Sequence, residues 1–155
     1  MLKMIERIGT ASWHGDLKSG KGQLSTGSGV LKEVPYEVKT RFGNQLGTNP
    51  EELLGAAHAA CFSMALSLAL TSAGFSVTSI TTKDKVLMDK VGEGFQILKI
   101  ETDTVAIVAG ISYDRFQDIV EKVKDNCPVS KALKGVELVV NATLYPSEPK
   151  LQVSP

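Results

Sequence analysis

The sequence predicts an α+β domain in which mostly antiparallel strands cover one long buried helix. Two observations lead to this prediction. Residues 53–70 contain no formal charge and follow a strong helix start signal. Segments with alternating polar and apolar residues, or with strand-like composition, lie on both sides of that helix. The predicted order of elements is β-β-β-α-β-β-α-β, and residues 1–145 are expected to form a single domain.

The first three elements are predicted to be strands. Residues 4–14 and 21–28 are joined by a glycine-rich segment, 15–22, that resembles a P-loop. It has Gly22 where a P-loop has Ser or Thr, and strand-like residues follow it, so a hairpin turn is expected. Residues 36–42 alternate between the two faces of a third strand, which places Arg41 on the polar face.

The long helix has clear signals at both ends. Asn49 is a favourable N-cap, Pro50 suits the first helical position, and Gly74 is placed just past the C-terminus. The uncharged stretch is long enough for a membrane span. However, it is rich in small residues and lacks flanking basic or aromatic anchors, so we expect a buried helix of a soluble protein instead.

The remaining elements follow from turn residues and periodicity. Strands are predicted over residues 77–91 and 95–108, with a glycine-containing turn between them. A helix is expected over 113–126, a short helical turn over 128–133 and a last strand over 136–145. Residues 146–155 are expected to form a loose C-terminal tail.

Composition excludes several classes of function. The 155 residues are 43% hydrophobic and 22% charged, and 17 basic residues balance 17 acidic ones. This balance argues against a nucleic-acid groove or an acidic-membrane binder. The N-terminus carries charges where a secretory signal has an apolar segment, so a cytoplasmic protein is expected. Two cysteines and two histidines show no metal-ligand spacing.

The two cysteines lie in contexts that fit redox chemistry. In the cytoplasm such a pair is more often catalytic or redox-sensing than structural, although each thiol could be inert. Cys127 precedes Pro128 at the predicted start of a short helix, which would favour its thiolate and keep it partly accessible. Cys61 lies within the long helix, where burial would raise its pKa. A reactive Cys61 therefore needs a nearby cation, which the residue pattern alone does not name.

Three further residues have ordinary structural explanations. Arg41 fits a solvated surface position, and Glu51 fits the first turn of a helix. His58 lies three residues before Cys61 on the same helical face, where it could act as a base for the thiol, although a buried histidine with a backbone partner is more common.

Together these motifs resemble one known family. The residues around Arg41, the continuous segment 47–65 (GTNPEELLGAAHAACFSMA) and Cys-Pro-Val-Ser at 127–130 are similar to the OsmC family (osmotically inducible protein C), whose sister group is the organic hydroperoxide resistance proteins. The resemblance extends over nearly the whole chain up to Tyr145. At the two cysteines, at Arg41 and at Glu51 the sequence matches the family pattern.

The resemblance implies a function and a role for four residues. It implies thiol-dependent reduction of organic hydroperoxides by an intertwined homodimer, regenerated by a dithiol reductant, with no metal, haem or flavin cofactor. Cys61 would be the peroxidatic cysteine and Cys127 the resolving one. Arg41 would stabilise the Cys61 thiolate, and Glu51 would orient Arg41. No nucleic-acid or membrane partner is implied.

Two other functions remain open. The chain could be a non-catalytic protein that binds an apolar acyl-type ligand, or a structural stress protein with inert cysteines. Apolar residues near Cys61, such as Leu54, Phe62 and Met64, suit an organic peroxide but fit core packing equally well.

The spacing along the long helix bears on assembly. Glu51 and Cys61 are ten residues apart, about 15 Å along an unbroken helix. An arginine bound to Glu51 could therefore not reach Cys61 of the same unbroken helix, so either the helix breaks near Gly55 or Glu51 belongs to the active site of the other subunit. We expect the second arrangement, in an obligate homodimer.

Overall fold

Residues 3–148 are described in a computed structural model, in which the chain divides into two compact units. The first unit comprises residues 1–53 and the second residues 54–155. Residues 149–155, most of the tail predicted to be loose, lie outside the described residues.

The first unit contains a three-stranded antiparallel sheet. Its strands are β1 (Gly9–His14), β2 (Lys21–Thr26) and β3 (Val34–Tyr36), in the order β1-β2-β3. The glycine-rich segment between β1 and β2 is the turn of a hairpin, as predicted. Asp16 organises this turn, because its carboxylate accepts hydrogen bonds from the backbone of the two residues Lys18 and Ser19.

The prediction of a strand over residues 36–42 is wrong. The sheet ends at Tyr36, and Val38–Phe42 form a short helix, α1. The Thr40 hydroxyl accepts a hydrogen bond from the Glu37 N–H at 3.0 Å and lies 2.8 Å from the Thr48 carbonyl. These local bonds stabilise a helical turn although the alternating pattern also fits a strand. Arg41 therefore lies on a helix and not on the polar face of a strand.

The long helix, α2, runs without interruption over Pro50–Ser72. Asn49 caps it, because its side-chain oxygen accepts the Glu52 N–H at 2.8 Å, as predicted. The sequence predicts a helix buried within a soluble assembly, and the single chain supplies part of that burial. One face is buried in the described chain, whereas Met64 and Leu68 are 76% and 69% exposed.

The second unit contains a three-stranded sheet of mixed direction. Strands β4 (Val77–Val91) and β5 (Gly94–Val108) pair antiparallel, and β6 (Glu137–Tyr145) lies parallel to β5. The prediction of mostly antiparallel strands is confirmed, with β5 and β6 as the parallel pair. The parallel pairing follows from the helices α3 (Tyr113–Asn126) and α4 (Pro128–Ala132), which supply the crossover that parallel neighbours require.

The core of the second unit lies between its helices and its sheet. It combines the buried face of α2, the apolar face of α3 and the inward residues of β5. Its buried members are Phe62, Leu66, Leu70, Ala106, Val108, Phe116, Ile119, Val120 and Val123. By length and composition alone α2 could cross a membrane, with a mean hydropathy of 1.8. Its packing into this core favours the predicted core helix.

Candidate active site

The second unit brings the two cysteines into contact. Cys61 lies in the middle of α2, and Cys127 lies between α3 and α4, where it is the N-cap of α4. Their sulfur atoms are 2.8 Å apart, and both cysteines are free thiols. A disulfide bond is about 2.0 Å long, so the sulfurs need to approach by less than about 1 Å to form one.

The two thiols differ in acidity. Burial raises the pKa of the Cys61 thiol, and the adjacent Cys127 raises it further. Burial also opposes ionisation of Cys127. Hydrogen bonds from Cys61 and from Ser130 and Val129 outweigh that effect and lower the pKa of Cys127. The direction of this shift agrees with the thiolate expected at the start of α4, and its cause is hydrogen bonding.

The thiols also differ in access to solvent. Cys127 is only 1% exposed, so the expectation that it would be partly accessible is wrong. The Cys127 sulfur contacts Cys61 and the N-terminal turn of α4, and these contacts limit its access to solvent. Cys61 has intermediate exposure. A reagent that enters from solvent therefore meets Cys61 first.

A buried polar group lies beside the thiol pair and was not expected in this form. His58 Nδ1 pairs with Asp84 Oδ2 of β4, and His58 Nε2 lies 2.9 Å from the Ser130 hydroxyl. The His58 and Asp84 side chains are 1% and 0% exposed. The second Asp84 oxygen, Oδ1, is buried and has no hydrogen-bond partner within residues 3–148. We call this group the Asp84–His58–Ser130 cluster.

Close packing between α2 and β4 makes this cluster possible. A Cβ atom on Gly55 would lie 3.2 Å from the Val86 side chain and 3.6 Å from Asp84 Cβ. Glycine at this position therefore allows the helix to approach the strand, so that Asp84 reaches His58. A sequence signal for Asp84 exists, because it shares the inward face of β4 with apolar Ile80 and Val86.

The first unit holds the other two predicted site residues. Arg41 of α1 pairs with Glu51 in the first turn of α2, with Arg41 Nη2 2.8 Å from Glu51 Oε1. Arg41 Nε also donates to both carboxylate oxygens, at 3.1 and 3.3 Å. Such a bidentate contact fixes the plane of the guanidinium group. The Arg41 side chain keeps 39% exposure, so it can meet another group.

An open cavity borders Arg41 within the first unit. Its volume is about 290 Å³. Most of its lining is aromatic or aliphatic, from Trp13, Leu17, Tyr36, Val38, Phe42 and Pro50. The cavity therefore places apolar surface next to a cation. Of the apolar residues expected near Cys61, Phe62 is fully buried in the core and Met64 faces outward.

Comparisons with known proteins find a matching family and several relatives. The family model for OsmC-like proteins matches residues 43–141. Peroxiredoxin OsmC of Escherichia coli is 55% identical over 131 residues, which cover 84% of this chain and 92% of that protein. The organic hydroperoxide resistance protein OhrB of Bacillus subtilis is 30% identical over 115 residues, covering 74% of this chain and 82% of that protein.

A solved structure extends the similarity to the fold. The organic hydroperoxide resistance protein of Elizabethkingia anophelis superimposes with a TM-score of 0.74 at 27% identity. The match covers 94% of this chain and 100% of that protein. With the contact between two cysteines, these matches show that the chain belongs to the OsmC-like protein family.

Proposed function

We propose that this protein is a thiol-dependent peroxidase that reduces organic hydroperoxides to alcohols. The observation that carries this proposal is the contact between the Cys61 and Cys127 sulfurs, 2.8 Å apart. One sulfur can be oxidised by a peroxide while the other lies within reach to resolve the product. The names of the peroxiredoxin and hydroperoxide resistance relatives support the same activity.

The reaction has three balanced steps. The Cys61 thiolate attacks the terminal oxygen of the hydroperoxide, the O–O bond breaks, and the alkoxide takes a proton to leave as an alcohol. Cys61 is then a sulfenic acid. The Cys127 thiolate attacks that sulfur, a disulfide forms, and hydroxide leaves to become water. A dithiol reductant of the cytoplasm then restores both thiols by exchange and is itself oxidised to a disulfide.

The roles of the two cysteines follow from their access. Cys61 is the more exposed sulfur, so it meets the peroxide, and buried Cys127 resolves the sulfenic acid. Because the pKa of Cys61 is raised by burial and by Cys127, the second unit alone keeps the proton on Cys61. A cation is needed to stabilise its thiolate, and Arg41, held by Glu51, is our candidate.

We further propose that the complete site forms in a homodimer. Glu51 and Cys61 lie about 15 Å apart along α2, which is unbroken, whereas an ion pair requires contact within about 4 Å. Arg41 is bound to Glu51 of its own chain. The Arg41–Glu51 pair of one protomer therefore serves Cys61 of its partner. Exposed Met64 and Leu68 on α2 provide an apolar face for a second copy to cover.

Variants of the cysteines test the proposal. Cys61→Ser should abolish peroxide consumption in the presence of a dithiol, because no other group forms the sulfenic acid. Cys127→Ser should react once and then accumulate sulfenic or higher acids on Cys61, as seen by mass spectrometry. Full turnover of Cys61→Ser with oxidation at Cys127 would reverse the roles.

A substrate series tests the class of peroxide. The apolar cavity beside Arg41 favours an alkyl or aryl group next to the reacting oxygens. The second-order rate should therefore be higher for tert-butyl or cumene hydroperoxide than for hydrogen peroxide. Equal or reversed rates would contradict this preference. If the wild-type protein consumed no peroxide and both thiols resisted alkylation, an acyl-ligand binder or an inert structural protein would be the better description.

A further inference from the structure

The proposed peroxidase reaction uses the two thiols and leaves the Asp84–His58–Ser130 cluster without a role. The cluster contains a buried acid, a buried base and a hydroxyl, connected by hydrogen bonds across α2, β4 and α4. Burying a carboxylate with one unpartnered oxygen is costly, and a purely structural site would be expected to avoid it. The series of hydrogen-bonded groups ends at Ser130, which follows Cys127 by three residues.

The hydrogen-bond directions in the cluster can be assigned from chemistry. If Asp84 accepts as a carboxylate, the hydrogen on the His58 ring lies on Nδ1 and points to Asp84. Nε2 of the neutral ring is then an acceptor, and the Ser130 hydroxyl, 2.9 Å away, donates to it. Asp84 thus fixes the tautomer in which His58 can take a proton from the side of Ser130.

The other end of the cluster reaches the resolving thiol. Cys127 is the N-cap of α4 and Ser130 is the third residue of that helix, and the hydroxyl and backbone N–H of Ser130 lower the pKa of the Cys127 thiol by hydrogen bonding. Cys127 is 1% exposed and Ser130 is 4% exposed, so solvent has little access to this thiol. A proton that leaves Cys127 therefore needs a route through the protein.

We propose that the Asp84–His58–Ser130 cluster is a proton relay that ionises Cys127 for attack on the Cys61 sulfenic acid, an inference that rests on the proposed peroxidase function. Cys127 gives its proton to the Ser130 oxygen while the Ser130 proton moves to His58 Nε2. Asp84 stabilises the resulting imidazolium. The thiolate then forms the S–S bond as the S–O bond of the sulfenic acid breaks.

Protons are balanced over the step that forms the disulfide. The hydroxide that leaves Cys61 takes up one proton to become water, and His58 gives up the proton that it received. The sum is one sulfenic acid and one thiol converted to one disulfide and one water. Ser130 contacts the reacting sulfur, whereas His58 and Asp84 are positioning residues that act through Ser130.

The first test measures ionisation of Cys127 alone. In a Cys61→Ser background, iodoacetamide alkylation is followed against pH with and without Ser130→Ala. Cys61, the titratable group that faces Cys127 directly, is a serine in this background, and His58 from α2 and Asp84 from β4 connect to Cys127 through Ser130. The charged residues that line the cavity beside Ser130 are Lys124, Asp125, Lys131 and Lys134. The alkylation midpoint should rise by about one pH unit in Ser130→Ala, which is a tenfold change in ionisation. Ser130→Thr, which keeps a hydroxyl, should restore it.

The second test separates the two chemical steps in the otherwise native protein. Ser130→Ala should slow disulfide formation about tenfold or more, and by a larger factor than it changes single-turnover peroxide consumption. His58→Asn, whose amide can still bond Asp84 but cannot take the proton, should slow the same step. Ser63→Ala is the matched control, because it removes a hydroxyl of α2 that donates to Thr82 at 2.7 Å and is not part of the Asp84–His58–Ser130 cluster.

The outcomes distinguish this inference from the proposed function. Superimposed alkylation curves, or equal slowing of peroxide consumption and disulfide formation, would overturn the relay. A wild-type protein without peroxidase activity would overturn the proposed function, while the alkylation curves in the Cys61→Ser background would still decide the relay.

Discussion

At the scale of single residues, the central feature is that two sulfur atoms in contact cannot both carry a negative charge easily. The surroundings favour charge on Cys127, whose pKa is lowered by hydrogen bonds, over Cys61, whose pKa is raised by burial and by its neighbour. Cys61, the thiol that meets the peroxide first, is thus the one that the surrounding residues of the second unit keep protonated. The proposed role of Arg41 is to reverse that preference.

Removing Arg41 tests this role through the pH dependence of thiol ionisation. In Arg41→Ala the ultraviolet absorbance of the thiolates should rise in two steps, one below and one above the pKa of about 8.5 of a free cysteine. The lower step belongs to Cys127 and the upper to Cys61, by the directions of their shifts. In the wild type the upper step should lie at lower pH, because the guanidinium favours the charged form.

The same variant should lose peroxidase rate at pH 7 by about tenfold for each unit that the Cys61 pKa rises. Arg115→Ala removes an exposed arginine in the first turn of α3 and serves as the control. Identical titration curves and rates for Arg41→Ala and wild type would assign the thiolate stabilisation to another group.

Only some of the residues that take part in this chemistry were predicted from the sequence. The four residues Cys61, Cys127, Arg41 and Glu51 were predicted by family resemblance, and the structure joins them as two contacting pairs. The Asp84–His58 contact was missed, because it depends on how a strand 26 residues away packs against α2. Spacing along the chain contains no information about that packing.

At the scale of elements, local signals determine how well the sequence predicts the structure. The ends of α2 and α3 were predicted closely because capping residues mark them, Asn49 for α2 and Ser112 for α3. The helix α1 was missed because its sequence alternates like a strand, and hydrogen bonds of Thr40 decide its conformation. The sequence made no prediction for the direction of β6, since its partner is chosen by tertiary packing.

Gly55 gives a prediction about the contact between α2 and β4. Gly55→Val would place methyl groups against Val86, whose nearest atom is already 3.2 Å from the site of the added Cβ. The loss of stability should be about 1–3 kcal/mol, measured by urea unfolding, because overpacking forces the helix and strand apart. Disulfide formation should also slow, since the His58–Asp84 contact depends on the same close approach.

A matched control is Ser72→Val, which adds the same side chain at the exposed end of α2. It should change the unfolding free energy by no more than about 0.5 kcal/mol. Equal stability of Gly55→Val and wild type would show that the strand moves aside without cost.

At the scale of the whole molecule, the exposed face of α2 is the main feature that a single chain leaves unexplained. Ala56, Ala60, Met64 and Leu68 recur every fourth residue and lie on one exposed face. A stripe of this kind on the longest and most apolar helix is the kind of surface that a two-fold related copy covers. The homodimer proposal gives this face a partner and completes the active site.

Mixing inactive subunits tests the composite site. Glu51→Ala and Cys61→Ser proteins, refolded together, should regain about a quarter of wild-type activity, since half of the dimers are mixed and each has one complete site of two. Each protein refolded alone should remain inactive or strongly impaired. A fully active monomer by light scattering would contradict the proposed assembly.

The contact between Arg41 and Glu51 within one chain supplies the control. Mixing Arg41→Ala with Glu51→Ala should restore nothing, because every pair in the mixed dimer then lacks one member. Recovery in this second mixture would show that the two residues act at different sites.

The position of the cysteines along the chain has a thermodynamic consequence. They are 66 residues apart, and the segment between them contains both long strands and α3. Joining them closes a loop of that length, which lowers the conformational entropy of the unfolded chain and stabilises the folded one by about 4 kcal/mol. The protein would therefore be most resistant to heat and proteolysis when it has consumed a peroxide and awaits its reductant. Its lifetime in the cell would then lengthen under oxidative stress, when the protein is most needed.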